Sequence, residues 1–185
     1  MTYVLTYVII MMKKDVLSLG VLGIYLLFVG IVLVINGVNR FYKLDAKSAA
    51  FMNAVTGTII VVGCFINFAK GGETLAYQSV ASGFLFGFTY IFIAANNLFS
   101  LDWRPFGWFS LFVTVYAVFM AVLAGQAGDW QFVYLWTAWA LLWFNGFLDI
   151  VLKMKSMSKI FPYLSIAEGI FAAFIPALMM LTDKW

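Results

Sequence analysis

The chain has 185 residues, 65% hydrophobic and only 10% charged, with a mean hydropathy of +1.01, whereas a soluble domain averages about 45–50% apolar and about 25% charged. That excludes a water-soluble fold, and with roughly 20 apolar residues per bilayer crossing it leaves room for about six spans and no second folded domain. The net charge of +3 is scattered over span ends, which argues against a nucleic-acid partner, and zero histidines with a single cysteine remove the usual zinc, haem and Ser/Cys-His chemistries.

The first residues hold an apolar stretch, 3–12, too short to span, followed by Lys13-Lys14-Asp15. A signal peptide places its positive charges before the apolar region and a small-residue cleavage site after it. Residues 1–18 are therefore expected to be an interfacial or disordered extension ahead of a membrane domain at 19–185. Continuous apolar segments follow at about 19–39, 48–68, 78–99, 106–124, 131–152 and 160–181. Barrel strands need only about ten alternating residues, so these longer runs predict an all-α bundle of six transmembrane helices.

Basic residues alternate between the connections. Arg40, Lys43, Lys47, Arg104, Lys153, Lys155 and Lys159 follow spans one, three and five, against Lys13, Lys14, Lys70 and Lys184 on the other side. The positive-inside rule puts the first set in the cytoplasm and both termini outside the cell (inner) membrane. A weak repeat accompanies this alternation. Residues 43–47 resemble 100–104, 57 positions later, and Asn36-Gly37 recurs as Asn145-Gly146. Three tandem helical hairpins follow, related by an axis near the membrane normal and surrounding a central pathway.

Span one carries an aliphatic seam of Leu22, Leu26, Val29, Leu33 and Asn36 at spacings of four and three. Span three carries Phe86, Tyr90, Ile93 and Asn97 at the same spacing, and span five places Trp136, Trp139 and Trp143 along one face. Membrane tryptophans normally sit at interfaces, so a mid-span column suggests a flat-walled lining, the alternative being a lipid-facing or packing stripe. The pairs Gly83 with Gly87 and Gly30 with Gly37 read as helix-packing seams. The turn 102–105 reads as a tight hairpin with Pro105 opening span four.

Glu168, about eight residues into span six, is the clearest ionisable group inside the spans. A carboxylate at that depth costs about 2.5–3.5 kcal/mol on insertion scales and belongs in a bundle interior or wet cavity, hydrogen-bonded or protonated. The alternative is a structural hydrogen bond between helices. Asp149 is read as an interfacial i,i+4 ion pair with Lys153. No phosphate loop or metal cluster is present and no Ser or Thr has a base partner, so neither an enzyme nor a cofactor is expected.

With these residues in view the chain resembles the AmiS/UreI family of urea and short-chain amide channels. The resemblance covers about 22–185 and is carried by Tyr25-Leu26-Leu27-Phe28-Val29-Gly30-Ile31-Val32-Leu33, Asn36-Gly37, Gly83-Phe84-Leu85-Phe86-Gly87-Phe88-Thr89-Tyr90 and Leu101-Asp102-Trp103-Arg104-Pro105. Trp136-Thr137-Ala138-Trp139-Ala140-Leu141-Leu142-Trp143 and Ile166-Ala167-Glu168-Gly169-Ile170 complete it. It implies a homo-hexameric ring with one channel per protomer, an outer constriction at Leu26, Val29, Trp139 and Leu142, and an inner one at Leu33, Phe86, Tyr90, Trp143 and Glu168. It also suggests a link to a cytoplasmic urease or amidase. Acid gating in the family depends on histidines and carboxylates of long extracellular loops. Here histidine is absent and the outer connections, about 69–77 and 125–130, are short, so no comparable gate is expected.

A slot walled by rings accepts flat neutral molecules and rejects ions, which lose hydration without charged rings or carbonyls to replace it. Tyr90 hydroxyl, indole N–H groups and the Glu168 carboxyl are the expected hydrogen-bonding groups for the permeant amide. The rival reading is a proton-coupled small-amide transporter in which Glu168 carries the proton.

Overall fold

In a computed structural model of the chain, the backbone is described for residues 2–71 and 74–185 and the side chains for 19–71 and 77–185. Among the described residues the chain is entirely helical. α1 is Thr2–Tyr42, α2 Ala46–Ala69, α3 Thr74–Phe99, α4 Arg104–Gln126 and α5 Trp130–Ile150. A sixth rod joins α6, Lys155–Glu168, through a π-helical segment, Gly169–Phe174, to α7, Ile175–Leu181. α1 begins at Thr2, so the backbone of residues 2–18 is helical and continuous with span one; the side chains of the expected extension lie outside the described residues.

Local chemistry sets the helix starts. Asp45 caps α2 by accepting from Ser48 N at 3.2 Å, and Asp129 caps α5 by accepting from Phe132 N at 3.1 Å, each satisfying one amide that the helix itself leaves without a partner. Pro105 falls in the first turn of α4, as expected. Just before it, the Asp102 carboxylate accepts from the Arg104 backbone N–H at 2.9 Å and from its guanidinium. The side-chain bond to Arg104 holds this carboxyl at about 2, well below the usual carboxylate range.

Five segments are long and apolar enough to cross a membrane: Leu19–Tyr42, Ala46–Ala69, Tyr77–Phe99, Arg104–Gln126 and Lys155–Leu181. α5 is missing from that set although its 21 residues suffice in length. Its tryptophans, with Gln131, Asn145 and Asp149, lower its hydropathy.

The packing corrects the expected hairpins. α2 lies along α3, α4 along α5 and α1 along the sixth rod, whereas α1 with α2 and α3 with α4 meet only lightly. Each close pair thus joins an even-numbered rod to the next odd-numbered helix, and the third pair closes the ring between the two ends of the bundle. Where lipid is as apolar as any side chain, close backbone approach decides the partner. A methyl group on Gly57 would lie 2.8 Å from the Gly87 carbonyl oxygen, and one on Gly30 would lie 2.9 Å from that of Gly169, with the reverse also 2.9 Å. Gly83 faces Cys64 and Gly37 faces the Pro162 carbonyl, so all four expected seam glycines lie at helix contacts.

The triplication is visible in the backbone. Lys43, Ser100 and Lys153 follow α1, α3 and α5 with φ of 48°, 54° and 53°, as Asp183 follows α7 with 53°, a left-handed conformation that costs a non-glycine residue roughly 1–2 kcal/mol. The first two lie at the 57-residue offset of the sequence repeat, and the third follows 53 residues later.

Candidate functional site

A cavity of about 470 Å³ runs between α1, α3 and α5. Most of its wall is three stripes of one spacing, Val29, Leu33, Asn36 and Arg40 from α1, Phe86, Tyr90, Ile93 and Asn97 from α3, and Trp139, Trp143, Gly146 and Ile150 from α5, with Phe106 and Ser110 of α4 and Phe161 of α6 adding to it. Steps of four, three and four keep each stripe on a single helical face, and their shared C-terminal bias shows that the three helices run parallel. The stripes align at offsets of 57 and 53, so Asn36 corresponds to Gly146 rather than to Asn145. The Asn-Gly recurrence in the sequence is therefore out of structural register by one residue.

The cavity is lined by large rings at one end, here the narrow end, and by smaller and polar side chains at the other, here the wide end. At the narrow end the Phe86 ring meets Trp139 and Trp143 edge-on, with centroids 4.8 and 4.9 Å away, and Trp136 at 6.1 Å. Such edge-to-face contacts fix ring orientation beyond simple area burial. The indole column points inward, since Trp136, Trp139 and Trp143 are 7%, 3% and 8% exposed. Toward the ends of the three helices the wall turns polar, with Asn36, Asn39, Arg40, Asn97 and Asp149. Asn36 exchanges hydrogen bonds of 3.1 and 2.8 Å with Asn53 of α2.

Two indole N–H groups, those of Trp139 and Trp143, are already engaged, which corrects their expected role as donors to a permeant. Trp143 Nε1 donates to Thr89 Oγ1 at 3.3 Å, and Thr89 Oγ1 donates to Leu85 O at 2.8 Å. Trp139 Nε1 donates to Ala172 O at 3.1 Å. That carbonyl lies four residues before Pro176, whose ring lacks the N–H that an α-helix would return to it. Tyr134 takes the neighbouring carbonyl, Phe171 O, at 3.2 Å. The π-helical segment thus offers two backbone acceptors to α5, as π-bulges often do at functional sites.

Of the ten residues expected in the lining, seven form the wall: Val29, Leu33, Phe86, Tyr90, Trp139, Leu142 and Trp143. Leu26 and Trp136 are not in the wall; they lie one helical turn before Val29 and Trp139 and are 1% and 7% exposed. Glu168 is also outside the wall, 5% exposed, within Coulombic reach of Tyr90. Both of its carboxyl oxygens are buried without a hydrogen-bond partner. Asp149 pairs not with Lys153 but with Arg40 of α1, at 2.9 Å. Sequence reasoning missed Thr89, Asn39 and Arg40. Extending the span-one seam by one further step of four would have found Arg40, and Thr89 is three residues from Phe86 on the same face.

A partly polar cavity framed by parallel apolar helices is the build of a multi-pass membrane transport protein. The chain belongs to the AmiS/UreI family: residues 21–184 match the family's transporter profile. It is 35% identical to the acid-activated urea channel of Helicobacter pylori, over 89% of this chain and 99% of that protein. It is 34% identical to a Mycolicibacterium smegmatis protein named for transport of amidate substrates, over 88% and 78% of the two chains. A cryo-EM structure of the Helicobacter pylori urea channel in a closed state superposes with a TM-score of 0.81 at 37% identity, covering 89% of this chain and 99% of that one. Members of this family are channels and transporters, not enzymes.

Proposed function

We propose that this protein is a passive channel for urea and short-chain amides, one pathway per protomer. The observation that carries the reading is the sequence of environments along one cavity, from a polar wide end to a waist of Val29, Phe86, Trp139, Leu33, Tyr90 and Trp143. A flat neutral amide passing that waist loses a few hydrogen bonds, for which the Tyr90 hydroxyl and the Glu168 carboxyl are the candidate replacements. A hydrated ion meets no ring of charge or carbonyls there and is rejected. Leu26 and Trp136 are assigned to the outer constriction as its closing residues.

The rest of the reading follows from the family resemblance and the charge pattern. α5 crosses the membrane as the sixth span, because α4 and the sixth rod flank it and its tryptophans face inward. Residues 19–185 form the channel domain and 1–18 an extension at the outer mouth. Six copies form a ring in the cell (inner) membrane, with both termini outside, serving a cytoplasmic urease or amidase. A chain without histidine lacks the groups for a histidine-dependent acid gate.

The test is solute flux into proteoliposomes. Urea or acetamide should enter faster than into empty vesicles and stop at equal concentration, while sodium and chloride should not enter. The partnerless Glu168 carboxyl favours one second reading, proton coupling. Uphill accumulation driven by a pH gradient would establish it in place of the channel.

A further inference from the structure

The wide end of the cavity is crossed by a bridge that helix packing does not require. Among the described residues no Cα atom of α1 comes within 8 Å of one in α5. Yet Arg40 Nη2 reaches Asp149 Oδ2 at 2.9 Å, and the same guanidinium lies 5.0 Å over the Phe161 ring of α6. All three side chains line the cavity. Arg40 is 46% exposed and Asp149 12%, and so exposed a pair adds little to stability. The chemistry of the pair is more informative than its strength.

A guanidinium beside a carboxylate offers N–H donors next to oxygen acceptors. A primary amide or urea is the neutral counterpart, its carbonyl accepting from the first and its NH₂ donating to the second. A third polar group stands beside them. Asn39, next to Arg40 in the chain, lines the same cavity, and its Oδ1 is buried with no hydrogen-bond partner. A buried acceptor left unsatisfied is costly, and a turn of the Asn39 amide would bring this oxygen to an NH₂ group in the cavity.

We propose that Arg40, Asp149 and Asn39 form a binding site for the amide at the wide mouth, separate from the waist. The solute inserts into the ion pair, its carbonyl taking the Arg40 guanidinium and its N–H groups the Asp149 carboxylate and Asn39 Oδ1. Solutes with no N–H, such as a dialkyl amide, lose both acceptors and do not bind there. The inference rests on the reading of the cavity as an amide pathway.

The experiment is the concentration dependence of acetamide flux in proteoliposomes of the full chain. Asp149→Asn and Arg40→Gln should each raise the half-saturating concentration about tenfold, the scale of one charged hydrogen bond, and leave maximal flux within about twofold. Asn39→Ala, which leaves the ion pair intact, should raise it about threefold, and it carries the test if the charge variants fail to fold. The double exchange Arg40→Asp with Asp149→Arg should return toward the wild-type value, since donor and acceptor are both restored. An unchanged half-saturating concentration in Arg40→Gln and Asn39→Ala would overturn the site, as would a change confined to maximal flux, which marks a strut. Wild-type flux above that of empty vesicles reads the channel assignment separately, so the two failures are distinguishable.

Discussion

The waist and the wide mouth of the cavity are built from the same three stripes, at equivalent positions one or two turns apart. Val29, Phe86 and Trp139 make one layer of the waist and Leu33, Tyr90 and Trp143 the next; Asn36, Ile93 and Gly146 then begin the mouth. On α5 the change is from indole to hydrogen within one helical turn. In the proposed pathway, side-chain size on a constant scaffold of parallel helices sets the width. The polarity changes at the same step, so the narrow part is also the part that offers an ion least. In the proposed channel, selectivity and constriction coincide because one substitution pattern produces both.

The comparison breaks most sharply at Phe86, which touches all three indoles of the column. Phe86→Ala should open the waist to resemble the mouth: we expect amide flux to rise by about tenfold and small ions to leak, as ion-selective dye assays on proteoliposomes would register. Retained ion exclusion in that variant would remove the waist as the filter. Next comes Glu168, buried beside the waist. Glu168→Leu should lower urea flux by about tenfold, and Glu168→Gln, which keeps hydrogen-bonding atoms, by about threefold. Equal flux in both variants and the parent would dissociate this carboxyl from permeation.

A smaller effect sharpens the waist without opening it. Thr89→Val leaves the Trp143 indole N–H buried and unpaired, which should destabilise the protein by about 1–3 kcal/mol, read as a lower melting temperature in detergent. Smallest is the turn outside both regions. The Asp102 carboxyl sits below its unfolded value, held there by Arg104 at about 2, so its contribution is present above the unfolded value of about 4 and lost as pH falls toward the folded one. Asp102→Asn should therefore leave flux unchanged at neutral pH and flatten any pH dependence of melting on the acidic side.

Much of this was legible in the residues. The spans follow from unbroken apolar runs, and the three stripes from steps of three and four, because a helical face repeats with that period in any solvent. Glu168 stood out because a carboxyl in an apolar run has few innocent explanations. The pairing of helices was not legible. In lipid a helix is apolar all round, so periodicity does not separate a partner face from a lipid face, and Gly30 meets Gly169 from the far end of the chain. Asp149 had Lys153 at helical spacing, and only the fold brings Arg40, 109 residues away, within 2.9 Å. The engagement of Trp139 depends on a carbonyl freed near Pro176, a backbone detail to which hydrophobic patterning is blind. The left-handed helix ends at Lys43, Ser100 and Lys153 carry no glycine to announce them.

The staggered pairing has a consequence for how the molecule is made. The ribosome delivers α2 with α3 and α4 with α5 as successive neighbours, each able to zip up as it emerges. α1 must wait, because its main partner is the rod synthesised last. Until α6 and α7 arrive, the Gly30 face of α1 has only lipid or assembly factors to lean on, so a nascent chain halted after α5 holds two finished thirds and one widowed helix.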